Sequence, residues 1–295
     1  MLVNYRKEFK IIDRKLSEAR ELKVYLSFDM EGVSGIAGGG MTGGAGATDA
    51  YSRGKRFSTD DVKAAIEGIL EVDPNAEIWF NDAHGESMNV YFEEFPENVK
   101  IVVNSAELFD EVLGLDESFD ALICIGAHAH PTTKDGVLCH IWDVRQVEFN
   151  GKTLTEVGLN AALAGYYNIP LIMISGDEAC CKLICQNVSP KMATAVVKKG
   201  IGRLSAVCLH PKKAQKLIKE AVIDGMKRHH EIAPLVFDNP IKVDITYKDQ
   251  SGASAQHYFM PEDERISGDK VRFIAANAKK AYYGFLARDK LSKNK

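Results

Sequence analysis

No stretch of this sequence approaches the roughly 18 uninterrupted apolar residues that a membrane-spanning helix requires. The segment from Met1 to Arg20 alternates charged and apolar residues, whereas a signal peptide needs a continuous apolar core. On these grounds we expect a cytoplasmic protein that has no membrane partner.

Cysteine motifs and basic runs are missing as well. The six cysteines include no Cys-x-x-Cys pair, which argues against a zinc ribbon or finger, and we expect most of them to be buried, reduced thiols. Lysines occur in pairs such as Lys198-Lys199, which we expect on solvated helix faces, and the net charge is −4. We therefore expect no nucleic-acid partner, since binding to phosphates needs a basic surface.

An alternation of apolar strands and helices is present instead. With 295 residues, of which 45% are hydrophobic and 26% charged, the chain is long enough to bury a large core. Strands that alternate with helices form parallel sheets, so we predict an α/β fold with a mainly parallel sheet flanked by helices. The predicted strands cover 24–28, 77–82, 99–103, 121–126 and 171–174, and the predicted helices cover 59–71, 106–113 and 155–167.

The alternation is less regular in the last third of the chain. The pair Asn150-Gly151, which lies between two extended segments, predicts a hairpin turn. Residues 1–22 are predicted to form an N-terminal extension, either an amphipathic helix or a partly ordered segment. After the hairpin and the strand that follows it, we predict a helix at 211–229, a strand at 241–247 and a final helix at 271–291.

Three of the predicted strands end in potential metal ligands. Asp29 and Glu31 follow the first strand, and their spacing of two points both carboxylates the same way. His84 and His128 follow two other strands, and the carboxyl ends of parallel strands meet at one edge of the sheet. Singly, such an acidic residue is usually a cap and such a histidine a structural residue. Together they indicate a metal site at the carboxyl-terminal ends of the strands, suited to zinc and its neighbours.

A glycine-rich loop over residues 38–46 invites comparison with phosphate-binding loops. It lacks the Gly-Lys-Ser/Thr ending of a P-loop and does not open directly into a helix. We interpret it as a mobile loop beside the metal site that can gate substrate entry. A nucleotide-binding module built on this loop is the alternative interpretation, and a nucleotide-binding assay tests it.

Five motifs extend the pattern of strand-end residues along the chain. They are Ser27 to Gly32, Asn81 to His84, Gly126 to Ala129, Gly136 to His140, and Glu156 to Ala161 followed by Ala164 to Tyr167. The first of them has the form Ser-x-Asp-x-Glu-Gly. In this order, the motifs resemble those of the zinc-dependent D-aminopeptidases of the DppA type. The resemblance spans about residues 23–285.

This resemblance implies an activity and a set of site residues. It implies an enzyme that hydrolyses N-terminal D-amino acids, such as D-Ala, from short peptides, with a water activated by two zinc ions. Residues 23–295 would form one D-aminopeptidase-like metallopeptidase domain, assembled into a ring-shaped homo-oligomer. The implied zinc ligands are Asp29, Glu31, His84, His128 and Glu156, with Asp29 as the bridge, and the implied catalytic residue is His140.

Some of these residues have other interpretations from pattern alone. Glu156 fits a capping box that starts at Thr153, in which it closes the first helical turn. His140 is otherwise an ordinary loop histidine. Asp82 and Asp177, which also lie at strand ends, are candidates to orient the histidines or the substrate.

Two other functions stay open at this point. A different metal-dependent hydrolase, such as a phosphoesterase, would use the same ligand types on the same sheet. A non-catalytic protein would bind the metal without hydrolysing anything. The second is disfavoured, because five dispersed ligands for two metals leave coordination positions open, unlike a closed structural site.

Overall fold

Twelve strands and six α-helices form the part of the chain that the computed structural model describes, which is residues 21–43, 48–103 and 110–293. The strands are β1 (Lys23–Phe28), β2 (Glu77–Asp82), β3 (Val99–Val102), β4 (Ala121–Ala127), β5 (Val144–Phe149), β6 (Lys152–Leu154), β7 (Leu171–Asp177), β8 (Ala193–Gly202), β9 (Ser205–Cys208), β10 (Ile241–Tyr247), β11 (Glu264–Arg265) and β12 (Lys270–Ala275). The helices are α1 (Thr48–Val72), α2 (Glu156–Tyr166), α3 (Glu178–Asn187), α4 (Pro211–Lys227), α5 (Gln250–Phe259) and α6 (Ala278–Ser292).

Some expectations fall outside these residues. The N-terminal extension lies outside the described part of the chain except for its last two residues, 21 and 22. The same holds for residues 44–46 of the glycine-rich loop and for residues 106–109 of the predicted helix at 106–113. Among the described residues, no helix combines the length and the apolar composition that a membrane span requires.

The central sheet has seven strands in the order β3-β2-β1-β4-β7-β8-β9. All neighbouring pairs are parallel except β8 and β9, which form an antiparallel hairpin. Strands β4 and β7 are buried along their whole length, as expected for a parallel sheet covered on both faces. The predicted α/β fold with a mainly parallel sheet flanked by helices is confirmed.

Helices α1 and α4 cover one face of this sheet. Val62, Ile66 and Ile69 of α1 recur at helical spacing and pack in one core with Ile218 and Val222 of α4. The helix α1 begins at Thr48, eleven residues before the predicted start at 59, so the sequence signal at Asp60 and Asp61 marks the middle of a longer helix.

A second sheet, which the sequence did not predict, covers part of the other face. It has five antiparallel strands in the order β11-β12-β10-β5-β6. Its core side chains, such as Phe149 and Ile245, share one cluster with residues of α2, α3 and α6. The predicted hairpin at Asn150-Gly151 joins β5 to β6, with φ of 51° and 81° at the two residues, as a type I′ turn requires.

The predicted final helix at 271–291 is wrong over its first part. Residues 270–275 form β12, because Val271, Phe273 and Ala275 alternate inward with a period of two and pair with β10. The helix α6 starts only after Asn277, whose Oδ1 accepts a hydrogen bond from the backbone N–H of Lys280. No sequence pattern predicted α3, α5, β8, β9 and β11.

Beyond its last residue, β1 stays joined to β4, and this junction places the first potential ligands. The N–H of Asp29 donates to the carbonyl of Ile125 at 2.8 Å, and the N–H of Gly32 donates to the carbonyl of Gly126 at 2.7 Å. Gly126 has a φ of +78°, and a Cβ atom there would lie 1.8 Å from the carbonyl oxygen of Asp29. Only glycine fits at this close approach.

We expect Gly126→Ala to lower the free energy of unfolding by more than about 4 kcal/mol or to prevent folding, since it adds a backbone clash to a left-handed conformation. The matched control is Gly151→Ala, which has a φ of +81° and no atom within 4 Å of the added Cβ. The control should lose only about 1–2 kcal/mol. Urea unfolding of both variants measures this, and equal losses would contradict the role of the close approach.

Candidate metal centre

All six site residues implied by the motifs come together at the carboxyl edge of the central sheet. They are carried by the segments that follow β1, β2 and β4, by the loop before β5, and by the start of α2. Their potential ligand atoms form two groups, and within each group these atoms lie within 4.8 Å of one another: Asp29, Glu31 and His84 in the first group, and His128, His140 and Glu156 in the second.

In the first group, one imidazole nitrogen faces two carboxylates. The Nδ1 atom of His84 lies 2.9 Å from Asp29 Oδ1 and 3.0 Å from Glu31 Oε2. The other nitrogen, Nε2, lies 2.9 Å from the carbonyl oxygen of Thr42, which can only accept a hydrogen bond. The Nε2–H group of His84 is therefore the donor, and Nδ1 is the nitrogen available to a cation. Thr42 belongs to the glycine-rich loop, which thus lies beside the site; its mobility stays a prediction.

The second group has the same arrangement. His128 Nε2 lies 2.9 Å from Glu156 Oε2 and 3.2 Å from Asp29 Oδ2, while its Nδ1–H donates to the carbonyl of Ala129 at 3.0 Å. The ring of His140 stacks on that of His128, with ring centroids 4.1 Å apart, and its Nδ1–H donates to the carbonyl of Leu138 at 2.9 Å. Asp29 therefore contacts both groups, with one carboxylate oxygen towards each.

Two of the potential ligand atoms approach an oppositely charged group without forming an ordinary hydrogen bond, whereas His84 Nδ1 is within hydrogen-bonding distance of Asp29 Oδ1. Glu31 Oε2 and His128 Nε2 are buried and have no hydrogen-bond partner of acceptable geometry, although each lies within 3.2 Å of an oppositely charged group. Atoms that converge in this way are arranged around a common point rather than directed at each other. Carboxylate oxygens and imidazole nitrogens are ligands that zinc accepts, so the residues fit divalent cations of this type. His130, two residues after His128, belongs to neither group and contacts Thr132.

The charges of the two groups are strongly coupled. Burial alone would raise the pKa of Asp29, but its contacts with His128 and His84 hold it well below the usual range. Burial by itself lowers both histidine pKa values, but the carboxylates of Glu31 and Asp29 beside His84, and of Glu156 and Asp29 beside His128, together outweigh burial and raise both pKa values well above the usual value. A divalent cation competes with these protons for the same nitrogen atoms, so its binding releases protons.

Glu156 is the residue for which pattern alone was misleading. The helix α2 is capped by Thr155, whose Oγ1 accepts a hydrogen bond from the N–H of Gly158 at 3.0 Å, so the alternative interpretation of Glu156 as the end of a capping box starting at Thr153 does not hold. Glu156 is the first helical residue, and its Oε1 accepts a hydrogen bond from the N–H of Trp142 at 2.6 Å. Its other oxygen faces His128.

A cavity of about 340 Å³ opens onto both groups. Its wall includes Asp29, His84, His140 and Glu156, together with residues that no motif indicated. These additional residues are Ala83, Gly85, Glu111, Trp142, Asp143 and Lys293. The volume is sufficient for a small ligand such as a short peptide end.

The sequence of the whole domain agrees with this geometry. The family model of the D-aminopeptidases matches residues 22–287. The chain belongs to the D-aminopeptidase family. The resemblance inferred from the motifs is thereby confirmed, and with it the expectation of a hydrolase of the aminopeptidase class.

Two relatives illustrate how far the similarity extends. A D-aminopeptidase of Bacillus subtilis (strain 168) is 28% identical over 273 residues, which are 92% of this chain and 98% of that protein. A solved structure, described as the Zn-dependent D-aminopeptidase DppA from Bacillus subtilis, a self-compartmentalizing protease, matches with a TM-score of 0.86. It is 28% identical, and the match covers 93% of this chain and 99% of that chain.

In this D-aminopeptidase family member, Asp82 and Asp177 form hydrogen bonds with the segments that carry the site histidines. Asp82 accepts hydrogen bonds from the backbone and side chain of Asn89, and Asn89 Nδ2 also donates to the carbonyl of His84. Asp177 caps α3 and accepts a hydrogen bond from the N–H of Val137 at 3.2 Å. Both residues thus hold the loops that carry the histidines, and neither contacts an imidazole ring in a described hydrogen bond.

Lys198 was wrongly expected on a solvated helix face. It lies in β8 with 2% of its surface exposed, and its Nζ atom donates to the backbone carbonyls of Glu31, Val33 and Ile36. One ammonium group thus shapes the segment that carries Glu31. Asp61 of α1 is buried nearby, and within the described part of the chain its Oδ2 has no hydrogen-bond partner.

Burial raises the pKa of Asp61 to about 8, from 3.8 in the unfolded chain. Because the pKa of Asp61 is higher in the folded than in the unfolded chain, the contribution of protonated Asp61 to the free energy of unfolding is fully present below pH 3.8. This contribution is lost as the pH rises towards 8. Relative to Asp61→Asn, the wild type should lose on the order of 4 kcal/mol of unfolding free energy between pH 5 and pH 8, at ~1.36 kcal/mol per unit. Urea titrations at several pH values measure this difference, and parallel profiles for the two proteins would contradict it.

Proposed function

We propose that this chain is a zinc-dependent aminopeptidase that removes N-terminal D-amino acids, such as D-Ala, from short peptides. The observation that carries the proposal is the pair of ligand groups described above, here called the donor groups because their atoms can donate electron pairs to a metal. Both contact Asp29, at the wall of a cavity of about 340 Å³. The zinc dependence and D-aminopeptidase activity named for the Bacillus subtilis relative support the choice of metal and substrate.

In this proposal, each donor group holds one zinc ion. Glu31 and His84 are ligands of the first ion, and His128 and Glu156 are ligands of the second. Asp29 would be the residue shared by both ions, because its two oxygens face opposite groups. When bound, two zinc ions polarise a carbonyl oxygen and lower the pKa of a shared water towards neutrality.

The protein's own contribution centres on His140. Its Nδ1–H is held by the carbonyl of Leu138, so Nε2 is the nitrogen free to exchange a proton with a ligand in the cavity. We assign His140 Nε2 the uptake of a proton from the attacking water and the transfer of that proton to the leaving amine nitrogen as the peptide bond breaks. Stacking on His128 fixes the plane of the ring, which limits the directions that Nε2 can face.

The composition of the cavity wall favours a peptide over a phosphate ester. Four acidic side chains line it, namely Asp29, Glu111, Asp143 and Glu156, and Lys293 is the one lysine or arginine among the described lining residues. The carboxylates that would hold zinc are offset by the charge of the bound ions, so the charge that distinguishes the two substrates is that of Glu111, which would repel a phosphate and attract the positively charged N-terminus of a peptide.

Assembly into a closed homo-oligomer, ring-shaped as in the family, is part of the same proposal. The relative of known structure is described as self-compartmentalizing, which supports it. The β8–β9 hairpin also exposes Ile201, Leu204 and Val207, with 58–69% of each side chain's surface accessible, and such a patch is typical of an interface. A cytoplasmic location stays a prediction.

The first test combines zinc analysis with a stereospecific assay. The purified protein should contain about two zinc ions per chain and should cleave D-alanyl but not L-alanyl peptides, and a chelator should abolish the cleavage. His84→Ala should lose zinc and activity, because Nδ1 is a ligand of the first ion. The matched control is His230→Ala, which removes a histidine that is 62% exposed outside the site and should change neither. Bound zinc without cleavage of either enantiomer would refute the peptidase and shift attention to phosphate esters or to binding alone.

His140→Ala separates a proton-transfer role from metal ligation. We expect the variant to keep its zinc and to lose about 10²- to 10⁴-fold in kcat, the usual contribution of a general acid or base. Its pH–rate profile should also lose one limb. A lower zinc content in this variant would instead identify His140 as a third ligand of the second group, with which its ligand atoms are clustered.

A further inference from the structure

Glu111 is a buried carboxylate that the proposed metal centre does not use. It is 8% exposed, and it lines the same cavity as Asp29, His140 and Glu156. It also borders a small internal space of about 10 Å³ that lies against Ser27 and Asn160. Its side chain therefore forms part of the inner wall of the cavity.

The backbone around Glu111 is held in place by the first two strands. Ser27 Oγ donates to the carbonyl of Glu111 at 2.8 Å, and Tyr25 OH donates to the carbonyl of Leu113 at 2.7 Å. Asn81 Nδ2 donates to the carbonyl of Asp110 at 3.2 Å. Three polar side chains that point from β1 and β2 thus fix a non-helical segment, which gives Glu111 a defined position relative to the donor groups.

The carboxylate itself is oriented by one amide. Asn160 Nδ2 donates to Glu111 Oε2, and Asn160 is fully buried in α2. Tyr282 OH contacts Asn160 Oδ1 at 3.3 Å and donates to Asp110 Oδ1 at 2.9 Å, so the amide is oriented in turn. Within the part of the chain that the structure describes, Asn160 is the sole donor to the Glu111 carboxylate, and no Lys, Arg or His forms an ion pair with it.

Burial, together with the charges of Glu156 and Asp29, raises the pKa of Glu111 well above its usual value, so without a cation beside it the carboxyl group favours its protonated form. A positive ligand that donates hydrogen bonds would stabilise the charged carboxylate in place of that proton. In the proposed function, Asp29 and Glu156 are committed to zinc. Asp143, another carboxylate on the cavity wall, forms an ion pair with Lys248. Glu111 is thus the cavity carboxylate that has neither an assigned metal nor an ion-pair partner among the described residues.

We infer that Glu111 binds the free α-ammonium group of the substrate, an inference that rests on the proposed aminopeptidase function. An ammonium group supplies three hydrogen-bond donors and a positive charge that could pair with the Glu111 carboxylate. An acylated N-terminus offers no charge, so Glu111 would select peptides with a free amine and place their first peptide bond beside the donor groups. In this role Glu111 is a binding residue and takes no part in breaking the bond.

The test uses two ligands that differ only in the amino group, D-alanine and propionate, as competitive inhibitors of D-alanyl peptide hydrolysis by the full zinc-loaded chain. The wild type should bind D-alanine more tightly than propionate. In Glu111→Gln, the inhibition constant for D-alanine should rise about 10-fold or more, while that for propionate changes less than about 2-fold. In the same variant, the KM of the peptide should rise together with the inhibition constant for D-alanine, and the zinc content should not change.

Two variants accompany this measurement. Glu178→Gln, the same change at the exposed first residue of α3, should leave both inhibition constants unchanged. Glu111→Asp keeps the charge on a shorter side chain and should retain a preference for D-alanine, which also keeps the test valid if the Gln variant does not fold.

Each other result counts against the inference. An equal weakening of both inhibitors in Glu111→Gln would show that Glu111 only supports the shape of the cavity, and unchanged constants would show that the amine binds elsewhere. Loss of the preference in Glu111→Asp would also overturn it. A wild type that cleaves no peptide would refute the proposed function itself, whereas an active wild type with an unselective Glu111 refutes the ammonium site alone.

Discussion

The rest of the site depends on the position of one carboxylate, that of Asp29. Its two oxygens face two histidines that arrive from different strands, His84 after β2 and His128 after β4. This is possible because β1 lies between β2 and β4 in the sheet, so the segment after β1 is flanked by both. The close junction of β1 with β4 at Gly126 then sets how far Asp29 extends beyond the sheet edge.

A shared feature of the site is that backbone groups, rather than side chains, orient the potential ligands. Each of the three histidines donates one ring N–H to a carbonyl oxygen, of Thr42, Ala129 or Leu138, and keeps the other nitrogen for the cavity. A carbonyl oxygen can only accept, so these contacts determine the tautomer of each ring. The supporting residues Lys198, Asp82 and Asp177 likewise act on backbone or loop groups behind the ligands. The ring nitrogens that face the cavity are thereby available, with the carboxylate oxygens beside them, to bind a cation.

The parts of the fold that could be predicted are those in which local pattern and final environment agree. Strand β4 is continuously apolar and is buried on both faces, and the Asn150-Gly151 pair forms the turn that its positive φ values favour. Prediction failed where burial comes from distant partners. The segment 271–275 is a strand because β10 lies beside it, and Lys198 is buried because three carbonyls of the segment after β1 surround its ammonium group. Neither partner is near in sequence.

The sequence by itself determined the alternating strands and helices, the residue types at the strand ends and, through five ordered motifs, the family to which the chain belongs. It could do so because each of these depends on a few neighbouring residues. Only the tertiary structure decided that the six residues divide into two groups around Asp29, that Glu156 faces His128 instead of closing a capping box, and that Glu111 lies on the cavity wall. These outcomes depend on the order of strands in the sheet and on hydrogen bonds between segments far apart in the chain, and no local pattern records either.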